Sequence, residues 1–259
     1  ESPVSDGSNP RRVTHDMDVP ETVRTALDDR PVEGSVCLEA GAGVGNTTAG
    51  LLEAGASRVY AVTNDHEHAE TVRDRVGADD PGRVATIAAD LRSTPLPDDS
   101  VDLVTAHGLF NVVSPADRPA VAAELTRVAS PDAHLVVDDY DPLPDDAAMR
   151  DLFAVENAAA ELASGDPALT FYPAEGLRRL FAGYGWAFDR ERTLLEPVPW
   201  TESHVTAHAD AARESAAAAS PDSGLAGALT TEIDRITAEI GSESAGRMYS
   251  LAFRLDGAE

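Results

Sequence analysis

Val36-Cys37-Leu38-Glu39-Ala40-Gly41-Ala42-Gly43-Val44-Gly45-Asn46-Thr47-Thr48 decides how the rest of the chain is read. A short apolar run ends in the carboxylate of Glu39, three glycines follow at alternate positions, and a helix-compatible segment comes next. That order reads as a strand, a tight turn and a helix N-terminus. Glycine lacks Cβ, so the turn can take dihedrals closed to other residues and let a ligand touch backbone. A helix beginning near Asn46 or Thr47 would aim unpaired N–H groups and partial positive charge at that ligand. Glu39 puts negative charge at the strand's carboxyl end, where open α/β sheets bind ligands. The dinucleotide fingerprint G-x-G-x-x-G would need its third glycine at Asn46. The spacing is instead G-x-G-x-G, with an acid two residues ahead, which repels a pyrophosphate and suits a cationic amino group.

Glu39-x-Gly41-x-Gly43-x-Gly45 resembles motif I of the class I S-adenosylmethionine-dependent methyltransferases. A glycine-rich turn with no ligand, or a different nucleotide cofactor, is the competing reading. The resemblance implies S-adenosylmethionine as cofactor and methyl transfer by in-line displacement at the sulfonium. It places Glu39 near the cofactor's amino-acid end, with Gly41, Gly43 and Gly45 in the cradle. It continues, more weakly, down the chain. The strand Arg58–Val62 should end in an acid for the ribose hydroxyls, but Thr63 and Asn64 stand there, with Asp65 next. The strand 84–88 leads to Asp90 and Leu91, where the family holds adenine; a turn cap is the other reading of Asp90. A Leu-Pro turn at Leu96-Pro97 precedes a strand from Val101 through Ala106, and His107 falls where the family lines the cofactor pocket and sometimes places a base. No Asn-Pro-Pro-Tyr or Asp-Pro-Pro-Tyr follows, which disfavours amino-directed nucleic-acid methylation.

The formal charge is -26, and the 20 basic residues are all Arg. Such a surface ordinarily argues against nucleic acid or anionic membrane partners. High Asp and Glu without Lys also resembles proteins of salt-in halophiles, most of them archaea, where molar salt shortens the Debye length to ~3 Å. The charge then reports the solvent of the cell and weakens the case against RNA. One cysteine, Cys37, excludes an intrachain disulfide. No run reaches the ~18 apolar residues of a membrane span, and no signal peptide opens the sequence at Glu1. A cytoplasmic location is expected.

Residues 1–17 read as a mobile arm and 18–259 as one domain, with helical insertions near 141–184 and 201–241. Further helices are expected at 20–29, 66–76, 115–129, 145–162, 174–182, 201–219 and 225–240, and strands at 135–137, from Trp186 to Trp200, and at 247–255. Ser130 to His134 reads as a turn. Asp138-Asp139-Tyr140-Asp141, at a strand's carboxyl end, either faces substrate or is solvated loop; Asp139, Tyr140 and His107 are the weak catalytic candidates. Phe171, Tyr172, Trp200 and His204 are the candidate acceptor wall, with capping of the sheet as the alternative. His66 with His68, and His204 with His208, lack the further ligands of a metal site, and no metal is expected. Seven strands alternating with helices give an α/β, Rossmann-like, mostly parallel sheet, whose last strand, by the family pattern, runs antiparallel between the fifth and sixth. The expected activity is methyl transfer to a small-molecule acceptor. RNA or protein methylation, or a non-catalytic cofactor-binding subunit, are the alternatives.

Overall fold

The computed structural model describes residues 19–77, 80–219 and 224–257. The expected arm at 1–17 lies outside them. A seven-stranded sheet contains β1 (Val36–Ala40), β2 (Arg58–Thr63), β3 (Val84–Ala88), β4 (Val101–His107), β5 (Ala129–Tyr140), β6 (Trp186–Leu195) and a strand at Met248–Leu255. A short ladder outside it pairs β7 (Pro199–Trp200) with β8 (Glu243–Ser244), so the strand Met248–Leu255 is β9. The sheet order is β3-β2-β1-β4-β5-β9-β6. All pairs are parallel except those of β9, which lies antiparallel between β5 and β6.

The helices are α1 (Glu21–Leu27), α2 (Asn46–Glu53), α3 (His66–Val72), α4 (Arg118–Val128), α5 (Ala148–Ser164), α6 (Ala174–Ala182), α7 (Glu202–Ala219) and α8 (Gly224–Ile240). Alternation along the strands divides the core between two faces. Leu38, Val104, Leu135 and Val137 pack with Leu125 of α4 and Phe181 of α6. Cys37, Leu103 and Val136 pack on the other face with Val23 of α1 and Leu51 of α2. A third cluster joins Leu152 and Phe153 of α5, Val205 of α7 and Ile233 of α8 to Trp200 and Met248. The two segments expected as insertions therefore build a helical cover that shares its core with the end of β9.

Three boundaries differ most from the sequence reading. Ser130 to His134 belongs to β5 as a bulge: Val101 pairs with Ala129 and Leu103 with His134, and Asp132 has φ +67°. The sixth strand stops at Leu195, because Pro197 and Pro199 have no N–H to donate to a ladder. The helix from His66 is α-helical only to Val72 and continues as a π-helical turn, Arg73–Gly77.

Candidate functional site

A cavity of about 610 Å³ opens at the carboxyl ends of β1 to β4, within the ~300–1,000 Å³ range of small-molecule sites. Gly41 and Gly43 line it with φ of +79° and +48°, in the left-handed region that side chains disfavour. The N–H groups of Gly41 and Ala42 both donate to Val62 O, tying the turn to β2. A Cβ on Gly41 would come 2.9 Å from Leu109 Cδ1, whereas one on Gly43 would meet nothing within 4 Å. Gly45 is different. It caps α2 at φ +84° and faces Val72 and Val76, so it serves packing and does not line the cavity. Arg75, on the π-helical turn, donates to Val44 O at 3.0 Å and Asn46 Oδ1 at 2.7 Å, fixing the turn from behind.

Glu39 is buried beneath the turn and also does not line the cavity. Its carboxylate accepts from the Thr48 hydroxyl. Burial pushes its pKa up to about 7 against the opposing pull of Thr48 and His107. Thr63 and Asn64 line the wall at the end of β2, joined by Asp65. Asp65 also caps α3, accepting from Glu67 N at 2.8 Å and His68 N at 3.0 Å, and those bonds hold its pKa below the ordinary range. Asp90 and Leu91 line the next stretch. Asp90 accepts from Arg92 N at 2.8 Å, so its turn-capping and cavity-lining readings coexist. The Arg92 guanidinium pairs with Asp90 at 2.6 Å and with Asp117 at 2.9 Å, spanning two walls of the cavity.

His107, the last residue of β4, completes the floor. Its Nδ1 lies 2.9 Å from Oδ2 of Asp138, its register partner on β5. Burial acts to lower the imidazole pKa. The hydrogen bond and charge of Asp138 outweigh it, helped by the charges of Glu39 and Asp139, and the net shift is upward. Asp138 is 4% exposed, and its Oδ1 has no partner among the described residues. Asp139 is buried too and accepts from Asn111 N at 3.1 Å and Tyr140 N at 2.8 Å, shaping the loop after β4. Burial pushes its pKa up to about 7, against these backbone bonds. Neither acid is solvated loop.

The four aromatic and histidine candidates for an acceptor wall sit elsewhere. Trp200 is buried, donates to Ala245 O at 3.0 Å, and lies 5.7 Å from Tyr140 and 5.4 Å from Phe153, centroid to centroid. Phe171 packs on Phe153 at 5.1 Å. Tyr172 lies beneath the Arg118 guanidinium at 3.6 Å, and its carbonyl accepts from Tyr249 Oη. His204 accepts from Thr201 N at 3.2 Å at the exposed start of α7. None lines the cavity. The Tyr140 phenol, pushed up to about 12 by burial and then by the charges of Asp139 and Asp138, stays protonated at neutral pH. His208 pairs with Glu156 at 2.9 Å, and no group of side chains fit to hold a metal occurs among the described residues. Sequence reasoning missed Arg75, Arg92 and the apolar wall of Leu109, Val112 and Val113. Only the last had a signal, an apolar run directly after the fourth strand.

Sheet order, the antiparallel β9 and a glycine cradle after β1 define the class I methyltransferase fold. Residues 38–137 match the family described as "Methyltransferase domain". Demethylmenaquinone methyltransferase of Clavibacter sepedonicus is 36% identical over 123 residues, 47% of this chain and 48% of the relative. The chain thus spans about half the length of that curated relative. Among solved structures, YcgJ from Bacillus subtilis superposes with a TM-score of 0.62 at 16% identity, covering 92% of this chain and 99% of the other. Geranyl diphosphate methyltransferase in complex with S-adenosylmethionine superposes at 0.55 with 18% identity, covering 90% and 83%. Residues 38–137 are thus similar to a methyltransferase domain, on the fold of a class whose cofactor is S-adenosylmethionine.

Proposed function

We propose that this protein transfers the methyl group of S-adenosylmethionine to a small-molecule acceptor. The observation that carries the proposal is the cavity over Gly41 and Gly43, whose shape and lining suit the cofactor. Gly41 and Gly43 leave room against backbone, Thr63, Asn64 and Asp65 offer polar groups for a ribose, and Asp90 with Leu91 suits an adenine. Leu109, Val112 and Val113 supply its apolar side. Glu39 acts from beneath the turn, and Gly45 by packing it. The cofactor brings an activated methyl group. The chain's contribution is alignment and exclusion of water, worth up to ~7–11 kcal/mol in well-oriented systems.

A small acceptor is favoured because the helical cover of α5, α7 and α8 packs on Met248, opposite the carboxyl end of β5, and we read residues 18–259 as one domain with that cover as its lid. The relative named above, a demethylmenaquinone methyltransferase, points the same way. Arg92, the only arginine lining the cavity among the described residues, is committed to Asp90 and Asp117, which suits an acceptor without phosphate. The all-Arg, strongly acidic composition supports a halophilic archaeal origin and a cytoplasmic setting. Among the described residues no helix is long and apolar enough to cross a membrane. Incubation with methyl-labelled S-adenosylmethionine and a metabolite panel in molar KCl should move label to an uncharged or cationic small molecule. Label appearing only in RNA or protein fractions would replace this acceptor class.

A further inference from the structure

His107 lines the cavity with one ring nitrogen already spoken for. Asp138 holds Nδ1 at 2.9 Å, which fixes the tautomer and ring orientation and leaves Nε2 as the nitrogen able to exchange a proton. Asp138 is itself buried, with one oxygen on the imidazole and the other unpartnered among the described residues. This is the orienting arrangement of a base and the carboxylate behind it. Three buried acids surround the ring: Asp138 and Asp139 from β5 and Glu39 from β1. Across the cavity stand Asp65 and His68 from the start of α3, Asp90 and Arg92 after β3, and Asp117 before α4. So acidic a setting favours the imidazolium, and an imidazolium cannot accept a proton.

We propose that His107, positioned by Asp138, is the general base that takes the proton of the acceptor's O–H or N–H group, and that it is freed of its own proton when the positively charged cofactor enters the cavity. The inference rests on the cofactor reading above. A positive charge brought near an imidazolium disfavours the charged form, with shifts of ~1–3 pH units for close charges. The base is thereby armed only when the methyl donor is present. The acceptor's proton then passes to Nε2 and on to solvent. The acceptor's oxygen or nitrogen lone pair forms the bond to the methyl carbon, and the carbon–sulfur electron pair stays on sulfur. Asp138 keeps the ring in register throughout.

Proton counting by calorimetry, in buffers of different ionisation enthalpy at pH 7, tests this without turnover. S-adenosylmethionine carries the sulfonium charge, and S-adenosylhomocysteine does not. The sulfonium ligand should release about half a proton or more beyond the thioether ligand. Burial pushes Glu39 and Asp139 toward this range as well, so the variant His107→Gln, at ligand concentrations that saturate it, must lose much of that difference. Should His107→Gln not fold, NMR titration of the His107 ring in the natural chain reads the same event: its midpoint should fall by about one pH unit or more with S-adenosylmethionine than with the thioether. Asp138→Asn should lower the His107 midpoint in the free protein, an effect that mere packing does not produce. Equal proton release for the two ligands, or a difference unchanged in His107→Gln, overturns the proposal while leaving the cofactor reading intact. Binding of neither ligand overturns both.

Discussion

Gly43→Val should abolish measurable S-adenosylmethionine binding at ordinary ligand concentrations while leaving a folded protein. Gly43 has φ +48°, lines the cavity, and has nothing within 4 Å of the position its Cβ would occupy. A Cβ there meets no protein atom within 4 Å and sits in open space beside the turn. Two effects must be separated: the strain of a left-handed valine, about 1–2 kcal/mol, and loss of room for a ligand. Gly34→Val separates them. Gly34 also has a positive φ, +77°, and equally open surroundings, but it sits exposed in the turn before β1, away from the cavity. Both variants should lower the melting temperature by a similar amount, about 2–4 °C per kcal/mol for a chain of this size. Only Gly43→Val should weaken cofactor binding, by roughly 100-fold or ~2.8 kcal/mol. Equal affinity in the two variants would remove the glycine turn from the cofactor site.

The second large effect concerns salt. Melting temperature should rise by roughly 10 °C or more between dilute buffer and molar KCl, the equivalent of ~3–5 kcal/mol. Salt acts in two opposed ways. It weakens ion pairs such as those of Asp29 with Arg30, Arg190 and Arg192, which tie the end of α1 to β6. It also relieves repulsion among 46 acidic residues that face only 20 arginines. Most arginines can be paired and the surplus acids cannot, so relief of repulsion wins as the Debye length shrinks from ~10 Å to ~3 Å. A melting temperature that stays flat or falls across that range would show that the composition has another cause.

The glycine turn was legible because its physics is local. Alternate glycines after an apolar run must turn, and the acid before them selects among ligands. The strands were legible for the same reason, including β9, whose apolar Met248–Leu255 run fits a central position. What escaped were contacts made at long range. Arg75 braces the turn from 31 residues away, and nothing in its surroundings in the sequence singles it out. Trp200, Phe171 and Phe153 form a packed cluster, and an aromatic residue beside a strand end looks the same in sequence whether it lines a cavity or fills a core. Asp138 and Asp139 were ambiguous because an acid-rich chain hides such buried acids among many solvated ones. The strand register that sets Asp138 opposite His107 removes the ambiguity.

The cavity over Gly41 and Gly43 is expected to take S-adenosylmethionine. Titration calorimetry of the natural chain in molar KCl, with S-adenosylmethionine and with NAD, tests it most directly. Saturable one-to-one binding of S-adenosylmethionine in the micromolar range, about −8 kcal/mol, with NAD weaker or undetectable, is the predicted result. Tighter binding of NAD, or no binding of S-adenosylmethionine by the folded protein, would contradict it.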